Sequence, residues 1–405
     1  MMNGNFVKWA WITPKTGYGR NGMFLIFFVK RDAIMATRFK TSFHNVHRFL
    51  LAAVAVLISI CANGGSTNRG VWCWKTPGPY GLDSIIGTNA QENAAVKQFK
   101  LWGISHVYGS YGDQLATSKG QAALAAWNGL LYSNGIDSQL LISDDTLGSG
   151  DNNVIVEMIN FNKNEPAASR CAGVHLDLEP WGLSTWNNGT NYQMLLALAG
   201  SYQEVRAELN TNGETNVLVY ADQADWLNSL SSINWPSESV CEQWFSDILT
   251  NLAGITLMAY DQPTFPRLTN VVEWQMTNFP GVIRVGIDAG KGETWSNLSS
   301  FLTVAGEVES NYTDSAGVDI YDFITVQEEV PPMLYFNSAA PLTVNGLNMV
   351  IQGPVGSNYT VEASTDLFNW QATTNFLSTS WLTYFTDSAA TNYSFRFYQV
   401  VMPQH

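Results

Sequence analysis

Between residues 70 and 326 the sequence alternates short apolar runs with longer segments whose apolar residues recur at intervals of three and four. This rhythm is typical of parallel strands joined by crossover helices. The eight apolar runs are GVWCW (70–74), ISHVYGSYG (104–112), IDSQLLISDD (136–145), AGVHLDLEP (172–180), NVLVYAD (216–222), ITLMAYD (255–261), VIRVGID (282–288) and GVDIYDF (317–323). Eight such units in roughly 250 residues predict an α/β fold of the TIM (β/α)8 barrel type.

The pattern changes at VQEEVPPM, residues 326–333, where acidic residues and two prolines indicate a linker. After it the helical periodicity ends, and alternating apolar and polar residues are separated by Gly, Asn and Asp turns. We therefore predict a barrel domain over residues 65–326, a linker over 327–333, and a small all-β, sandwich-like module over 334–405.

The first 64 residues differ from the rest in charge and hydropathy. They contain 8 of the 20 basic residues but only one of the 34 acidic residues, and their apolar run at 49–61 follows a basic segment. Such a run is short for a bilayer span, which needs ~20 apolar residues. We interpret residues 1–64 as a cleaved secretory signal, with Met35 as a second candidate for the translation start. The protein is then expected to be secreted or held at the cell surface, without stable membrane insertion after cleavage.

After removal of that segment, 12 basic and 33 acidic residues remain, a net charge of −21 with His neutral. Such a charge repels phosphate backbones, so a nucleic-acid partner is not expected. The remaining cysteines, Cys73, Cys171 and Cys241, have neither CxxC spacing nor a nearby His at metal-ligand intervals. Neither a metal site nor a cofactor is predicted, and the three thiols are expected to be buried and free.

The fourth run, CAGVHLDLEP (171–180), has an ionisable residue at every second position. Side chains alternate between the two faces of a strand, so His175, Asp177 and Glu179 share one face and three apolar residues occupy the other. Functional residues of a TIM barrel lie at the C-terminal strand ends, and Glu179 is the last residue before Pro180 ends this strand. The alternative is a buried His–Asp pair that only stabilises the barrel, with Glu179 in a salt bridge at its rim.

Other runs carry Tyr or carboxylate residues toward the same rim. These residues are Tyr220 and Asp222 of the fifth run, Tyr260 and Asp261 of the sixth, Asp288 of the seventh and Tyr321 of the eighth. Met258 of the sixth run lies on the same face as Tyr260. Because several strands converge on one rim, a functional site is favoured over a purely structural one.

Two of these runs resemble motifs of glycoside hydrolase family 18, which contains chitinases and endo-β-N-acetylglucosaminidases. AGVHLDLEP is similar to the DGxDxDxE motif on the fourth strand of that family, and LMAYD is similar to its MxYD motif on the sixth. The resemblance covers residues 70–326. It implies a glycosidase whose substrate is an oligo- or polysaccharide containing N-acetylglucosamine, and the N-terminal signal pattern adds that it is secreted.

The resemblance also implies roles for individual residues. Glu179 would be the general acid and base, Asp177 would orient the substrate acetamido group that attacks the anomeric carbon, and Tyr260 would donate a hydrogen bond to its oxygen. Asp261 would help to hold this group. The mechanism would be retaining and substrate-assisted. The other substrate-binding candidates are His175, Tyr220, Asp222, Met258, Asp288, Trp181 and Tyr321.

The sequence departs from the family pattern at several positions. Ala172 and His175 stand where the motif has Asp, so Asp177 would instead accept a hydrogen bond from His175, and the eighth strand has no Trp for the floor of a sugar site. Two alternatives stay open. One is a retaining glycosidase whose nucleophile is Asp288 or Glu293, and the other is a barrel that binds glycans without cleaving them.

The C-terminal residues have a resemblance of their own. GPVGSNYTVEASTDLFNW (353–370) and RFYQVV (396–401) resemble a short module that recurs at the end of large secreted bacterial proteins. This resemblance leaves attachment, sorting and sugar binding as possible roles of the module.

Overall fold

The computed structural model describes residues 10–12, 24–26, 68–76, 78–187, 189–260, 262, 264–288, 290, 298–312, 315–330, 332–336 and 342–402. Two predicted site residues, Asp261 and Glu293, and the apolar run of the predicted signal lie outside these residues. The chain divides into two compact units, of which one is Ser66–Val326 and the other contains Gln327–His405.

Eight parallel strands close the first unit into a barrel. They are β1 Arg69–Cys73, β2 Ile104–Gly109, β3 Asp137–Asp144, β4 Gly173–Leu178, β5 Leu218–Ala224, β6 Gly254–Met258, β7 Ile283–Asp288 and β8 Gly317–Tyr321. Each strand pairs with the next in chain order, and β8 pairs with β1 to close the ring. The TIM barrel predicted from the eight apolar runs is confirmed.

In the described part of the chain, helices alternate with these strands. The longer ones are α1 Asn89–Leu101, α2 Ser118–Ser133, α3 Ser149–Asn164, α4 Asn191–Thr211, α5 Glu238–Leu249, α6 Phe265–Asn278, α7 Leu298–Asn311 and α8 Phe323–Glu329. Short helical turns lie at Leu82–Ile85, Gly112–Leu115, Ala167–Ser169, Pro180–Gly182, Asp225–Asn228 and Leu230–Ile233. None of the helices within the described ranges combines the length and the apolar character that a membrane crossing requires.

Local sequence signals set several of these boundaries. The Thr117 hydroxyl accepts a hydrogen bond from the Gly120 N–H at 3.0 Å and caps the start of α2. Gly135 follows the end of that helix with a φ of 73°, a conformation that glycine adopts at little cost. After β4, Pro180 opens a 3₁₀ turn, and its missing N–H prevents the strand from continuing.

The C-terminal unit contains two antiparallel sheets. Its strands are β9 Met333–Phe336, β10 Leu342–Thr343, β11 Gly346–Gln352, β12 Asn358–Ser364, β13 Gln371–Leu377, β14 Leu382–Asp387 and β15 Phe397–Val401, with a 3₁₀ turn at Ser388–Asn392. In one sheet β11 pairs with β9, β10 and β14. In the other, β12 pairs with β13 and β15. β15 also pairs with the short strand Phe24–Ile26, which pairs with Ala10–Ile12.

An apolar core joins the two sheets of this unit. Met349 and Ile351 of β11 and Val361 of β12 and Val400 of β15 are all buried in it. Residues of two facing sheets interdigitate in this way in β-sandwiches. The predicted all-β, sandwich-like C-terminal module is confirmed.

Candidate active site

Strand β4 carries a column of ionisable side chains into the barrel interior. His175 has no exposed surface and Asp177 is 6% exposed, while Glu179, just beyond the strand end, is half-buried. The intervening residues Leu176 and Leu178 are fully buried. Because side chains alternate along the strand, one face of β4 is apolar and the other carries the ionisable side chains into the barrel interior.

His175 is held by the neighbouring strand β5. Its Nε2 atom lies 2.7 Å from Oδ1 of Asp222, and the other oxygen of Asp222 accepts a hydrogen bond from Trp72 Nε1 at 3.0 Å. The His175 ring stacks on Tyr108 at a centroid distance of 3.8 Å. Burial lowers the pKa of His175 to about 4, so the ring is neutral at pH 7. The expectation that His175 donates to Asp177 is wrong, because Nε2 contacts Asp222 and Nδ1 has no hydrogen-bond partner among the described residues.

Asp177 lies one step further along the β4 column. Its Oδ2 accepts a hydrogen bond from the Ser143 hydroxyl of β3 at 2.9 Å, and its Oδ1 has no hydrogen-bond partner among the described residues. Burial raises the pKa of Asp177 well above its usual range, and the charges of Asp222 and Glu179 raise it further. Asp177 is therefore a buried carboxyl group with one oxygen available.

Glu179 sits at the mouth of the barrel. Its Oε2 accepts a hydrogen bond from Trp181 Nε1 at 2.9 Å, within the turn that follows β4. Its backbone N–H donates to the carbonyl of Asp144 at the end of β3, which fixes the direction in which the chain leaves the strand. Trp181, a predicted substrate-binding residue, thus contacts the predicted general acid directly.

Tyrosines of β8 and of the residues that follow β6 border the carboxylates. The rings of Tyr260 and Tyr321 lie 5.0 Å apart, and both are half-buried. Burial raises the pKa of Tyr260 well above its usual range and that of Tyr321 to about 12, and the charges of Asp177 and Asp288 act on both hydroxyls in the same direction. The structure therefore gathers these four predicted residues into one electrostatic cluster with Glu179.

Two tryptophans, one in β1 and one directly after it, pack against the tyrosines of this cluster. Trp72 packs edge-to-face against Tyr260 and Tyr321 at 6.5 and 5.9 Å, and Trp74 packs against Tyr321 at 6.2 Å. Only the eighth strand was considered for such a Trp, so neither Trp72 nor Trp74 was predicted. The first apolar run, GVWCW, is the signal that could have found them, because β1 pairs with β8 when the barrel closes.

Three predicted residues take other positions. Tyr220 is the third residue of β5 and lies near Arg284 and Asp137, which lie at the starts of their own strands, so it belongs to the opposite end of the barrel. Asp222 has no exposed surface and points into the interior. The expectation that these two residues reach the rim is wrong, since β5 continues to Ala224. Met258, the last residue of β6, is half-buried at the level of Gly286.

An ion pair below this site was not predicted. Nε and Nη2 of Arg284 lie 2.8 and 2.6 Å from the two carboxylate oxygens of Asp319, which also accept hydrogen bonds from the hydroxyls of Tyr108 and Thr256 at 2.7 and 2.6 Å. Burial alone would raise the pKa of Asp319, but the charge of Arg284 and the hydrogen bonds from Arg284 and Thr256 lower it. The pair has the same sequence signal as β4, an ionisable residue inside an alternating apolar run.

The described cysteines and acidic residues form no metal or disulfide site. Cys73, Cys171 and Cys241 are buried and unpaired. Within the described ranges, no group of three or more His, Cys, Asp or Glu side chains has an arrangement that could hold a metal ion.

Comparison with known proteins gave structural matches only. No family model matches the chain, and no curated protein matches it. Among solved structures it is similar to the chitinase ChiC of Aspergillus fumigatus, with 9% identity, a TM-score of 0.41 and coverage of 65% of this chain and 93% of the other. It is also similar to the family 18 chitinase ChiB of Flavobacterium johnsoniae, with 16% identity, a TM-score of 0.37 and coverage of 64% and 89%. A Cellulomonas fimi endo-β-1,4-mannanase double mutant matches with 9% identity, a TM-score of 0.40 and coverage of 80% and 90%.

Proposed function

We propose that the barrel unit is a glycoside hydrolase that cleaves N-acetylglucosamine-containing glycans with retention and with assistance from the substrate's acetamido group. The observation that carries the proposal is the placement of Asp177 on β4 and of Glu179 just beyond its end, close to each other and to Tyr260. A substrate-assisted mechanism needs one protein acid and a group that positions the acetamido, instead of two carboxylates flanking the bond.

In the first step Glu179 gives its proton to the glycosidic oxygen as the bond from that oxygen to the anomeric carbon breaks. The acetamido oxygen of the same sugar forms the new bond to the anomeric carbon from the opposite face. Water then displaces this oxygen and gives a proton to the Glu179 carboxylate, which restores the acid and retains the configuration.

Asp177 and Tyr260 act on the acetamido group during these steps. The available Oδ1 of Asp177 accepts the acetamido N–H, and the Tyr260 hydroxyl donates to the acetamido oxygen. Burial and the charges of Asp222 and Glu179 raise the pKa of Asp177, and positive charge that develops on the acetamido group favours its carboxylate form. The stabilisation of the transition state therefore grows as the charge develops.

Asp288 supports a second candidate mechanism. Its charge raises the pKa of both Tyr260 and Tyr321, so it lies in the same electrostatic cluster as Glu179. In this mechanism Asp288 would attack the anomeric carbon directly, and the carboxyl groups of the two residues would be ~5–5.5 Å apart in the working complex. Substrates without an acetamido group would then be cleaved.

The deciding experiment compares the full chain with its Glu179→Gln variant on matched oligosaccharides with and without 2-acetamido groups. The proposal is supported if the wild-type protein cleaves only the sugars with an acetamido group and if kcat falls by about 10²–10⁴ in Glu179→Gln. Cleavage of plain sugars transfers the assignment to Asp288. Binding without cleavage by either protein assigns a glycan-binding barrel. Glu238→Gln, an exposed change on α5, is the matched control.

Secretion and attachment belong to the same proposal. The basic and apolar character of residues 1–64 supports export of the chain, and the acidic remainder suits an extracellular protein that acts on neutral glycans. We assign the C-terminal β-sandwich a role in attachment or sugar binding, which a pull-down of the full chain on insoluble polysaccharide tests directly.

A further inference from the structure

A concavity lies between the segments that follow β4 and β5, and one of its lining residues, Trp181, contacts Glu179. Its volume is about 590 Å³, and its walls include Trp181, Trp186 and Trp226. The three rings contact one another edge-to-face at centroid distances of 5.8, 6.1 and 6.3 Å. Contacts of this kind hold aromatic rings at fixed, steep angles to one another.

Trp226 gives this pocket an accessible aromatic surface. Trp186 is only 7% exposed, but Trp226 is 38% exposed despite its two indole neighbours. An exposed indole ring on a rigid support favours a ligand with a flat apolar face and a polar edge, and a pyranose ring has both.

The rest of the lining is polar and uncharged. Asn187, Ser231 and Asn234 border the pocket with amide and hydroxyl groups, and none of its lining residues carries a charge. In a chain with a net charge of −14, such a lining selects for a neutral ligand rich in hydroxyl or amide groups.

A buried asparagine fixes the two walls relative to each other. Asn191 is 3% exposed, and its Oδ1 accepts a hydrogen bond from the Asn187 N–H at 2.9 Å while its Nδ2 donates to the Ser232 carbonyl at 3.0 Å. The segment after β4 is thereby tied to the segment after β5. The pocket is preorganised in the free protein, which lowers the entropy cost of binding a ligand.

The position of Glu179 relates the pocket to the reaction. Asp177 precedes Glu179 along β4 toward the interior, and the Trp181 indole, which follows Glu179 in the chain, donates to Glu179 Oε2 and forms a wall of the pocket. A sugar whose acetamido group reaches Asp177 occupies the interior side of the acid. The group released from the protonated oxygen then leaves toward Trp181.

We propose that the pocket of Trp181, Trp186 and Trp226 binds a neutral sugar of the glycan, on the leaving-group side of the bond that Glu179 protonates. This assignment of the side rests on the proposed function. The Trp226 ring stacks on the sugar, and Asn187, Ser231 and Asn234 exchange hydrogen bonds with its hydroxyl or acetamido groups. The enzyme then favours substrates in which at least one sugar follows the cleaved bond.

The test compares two substrates that differ in the leaving group: a tetramer of β-1,4-linked N-acetylglucosamine and the 4-nitrophenyl glycoside of the dimer. Trp226→Ala is expected to lower the ratio of their kcat/KM values, tetramer over aryl glycoside, roughly tenfold, because the aryl leaving group carries no sugar into the pocket. Ser231→Phe, an exposed change that fills the pocket and leaves the tryptophans intact, should lower the same ratio. Tyr132→Ala removes a 62% exposed aromatic ring of α2 and should leave the ratio unchanged. An unchanged ratio in both pocket variants overturns the proposal.

Calorimetric binding of the tetramer to Glu179→Gln separates this inference from the proposed function. If the wild-type protein cleaves neither substrate, the proposed function and the leaving-group assignment both fail. Binding of the tetramer that is weakened by adding Trp226→Ala, but not by adding Tyr132→Ala, then still establishes the pocket as a glycan site. Equal binding by all three proteins overturns the pocket as well.

Discussion

Nε2 of His175 lies 2.7 Å from Oδ1 of Asp222 in the closed interior of the barrel, and neither residue has any exposed surface. Asp222 also accepts the indole N–H of Trp72, so the contact joins β1, β4 and β5. The Nε2 atom of His175 is therefore engaged by Asp222, and no hydrogen bond joins the described atoms of His175 and Asp177. Asp177 therefore keeps one oxygen for another partner.

The buried His175 makes stability depend on acidic pH. Its folded pKa of about 4 lies below the usual value of about 6.5 for an unfolded chain, so the unfolded state binds more protons as the pH falls through this window. The free energy of unfolding should fall by about 3 kcal/mol between pH 6.5 and pH 4 from this residue alone. Urea denaturation at pH 4.5 and 7 should show that His175→Gln loses this dependence. His106→Gln, a change at a half-buried histidine of β2, should retain it.

Asp177 should have the opposite effect at higher pH. Its folded pKa is raised, so its contribution to stability is fully present only below about pH 4 and is lost as the pH rises through the folded pKa. Asp177→Asn keeps an acceptor for Ser143 and carries no charge to bury. The difference in melting temperature, Asp177→Asn minus wild type, should therefore increase as the pH rises from 5 to 8. Each kcal/mol of stability that the wild type loses should widen it by about 2–4 °C. The variant should also lose activity. The exposed change Asp113→Asn should give a constant difference, and a constant difference in Asp177→Asn would contradict the assigned pKa direction.

The eight strands and the column on β4 could be predicted because they depend on local periodicity. The height of a residue within the barrel was harder to predict. Moving the end of β5 from 222 to Ala224 takes Asp222 from the rim into the interior, and the sequence contains no local signal that decides between the two boundaries. An error of two residues in a strand boundary thus converts a substrate-binding candidate into a buried partner of His175.

Contacts that depend on closure of the barrel could not be predicted from local sequence. Trp72 meets Tyr321 only because β1 pairs with β8, at the two ends of the domain sequence. Arg284 and Asp319 meet because β7 pairs with β8 in a particular register, and Tyr108 of β2 contacts Asp319 across the interior. Tilted strands and a closed ring decide these contacts.

Trp181 should support the chemistry of Glu179 through its N–H group. Trp181→Phe keeps an aromatic ring but removes the donor to Glu179 Oε2. Hydrogen bonds to charged groups contribute about 1.5–3 kcal/mol, so kcat should fall by roughly tenfold or more while the fold is unchanged. Steady-state kinetics with circular dichroism checks both parts. Trp370→Phe, which removes an indole donor in the C-terminal unit, is the control. Equal kcat values in the two variants would mean that the Trp181 donor does not assist Glu179.

The last prediction concerns the ion pair beneath the site. Removing one partner of a buried pair leaves the other charge without compensation, which costs about 3–5 kcal/mol. Arg284→Met should therefore lower the free energy of unfolding by this amount, because the hydroxyls of Tyr108 and Thr256 cannot neutralise Asp319.

The control for this prediction is Lys75→Met, which breaks a pair with Asp113 in which both side chains are more than half exposed. Exposed pairs contribute about 0–1 kcal/mol, so chemical denaturation should separate the two variants clearly. Adding Asp319→Leu to Arg284→Met should recover part of the loss, since it removes the uncompensated charge. Similar small losses in Arg284→Met and Lys75→Met would show that the interior of the barrel admits enough water to solvate Asp319.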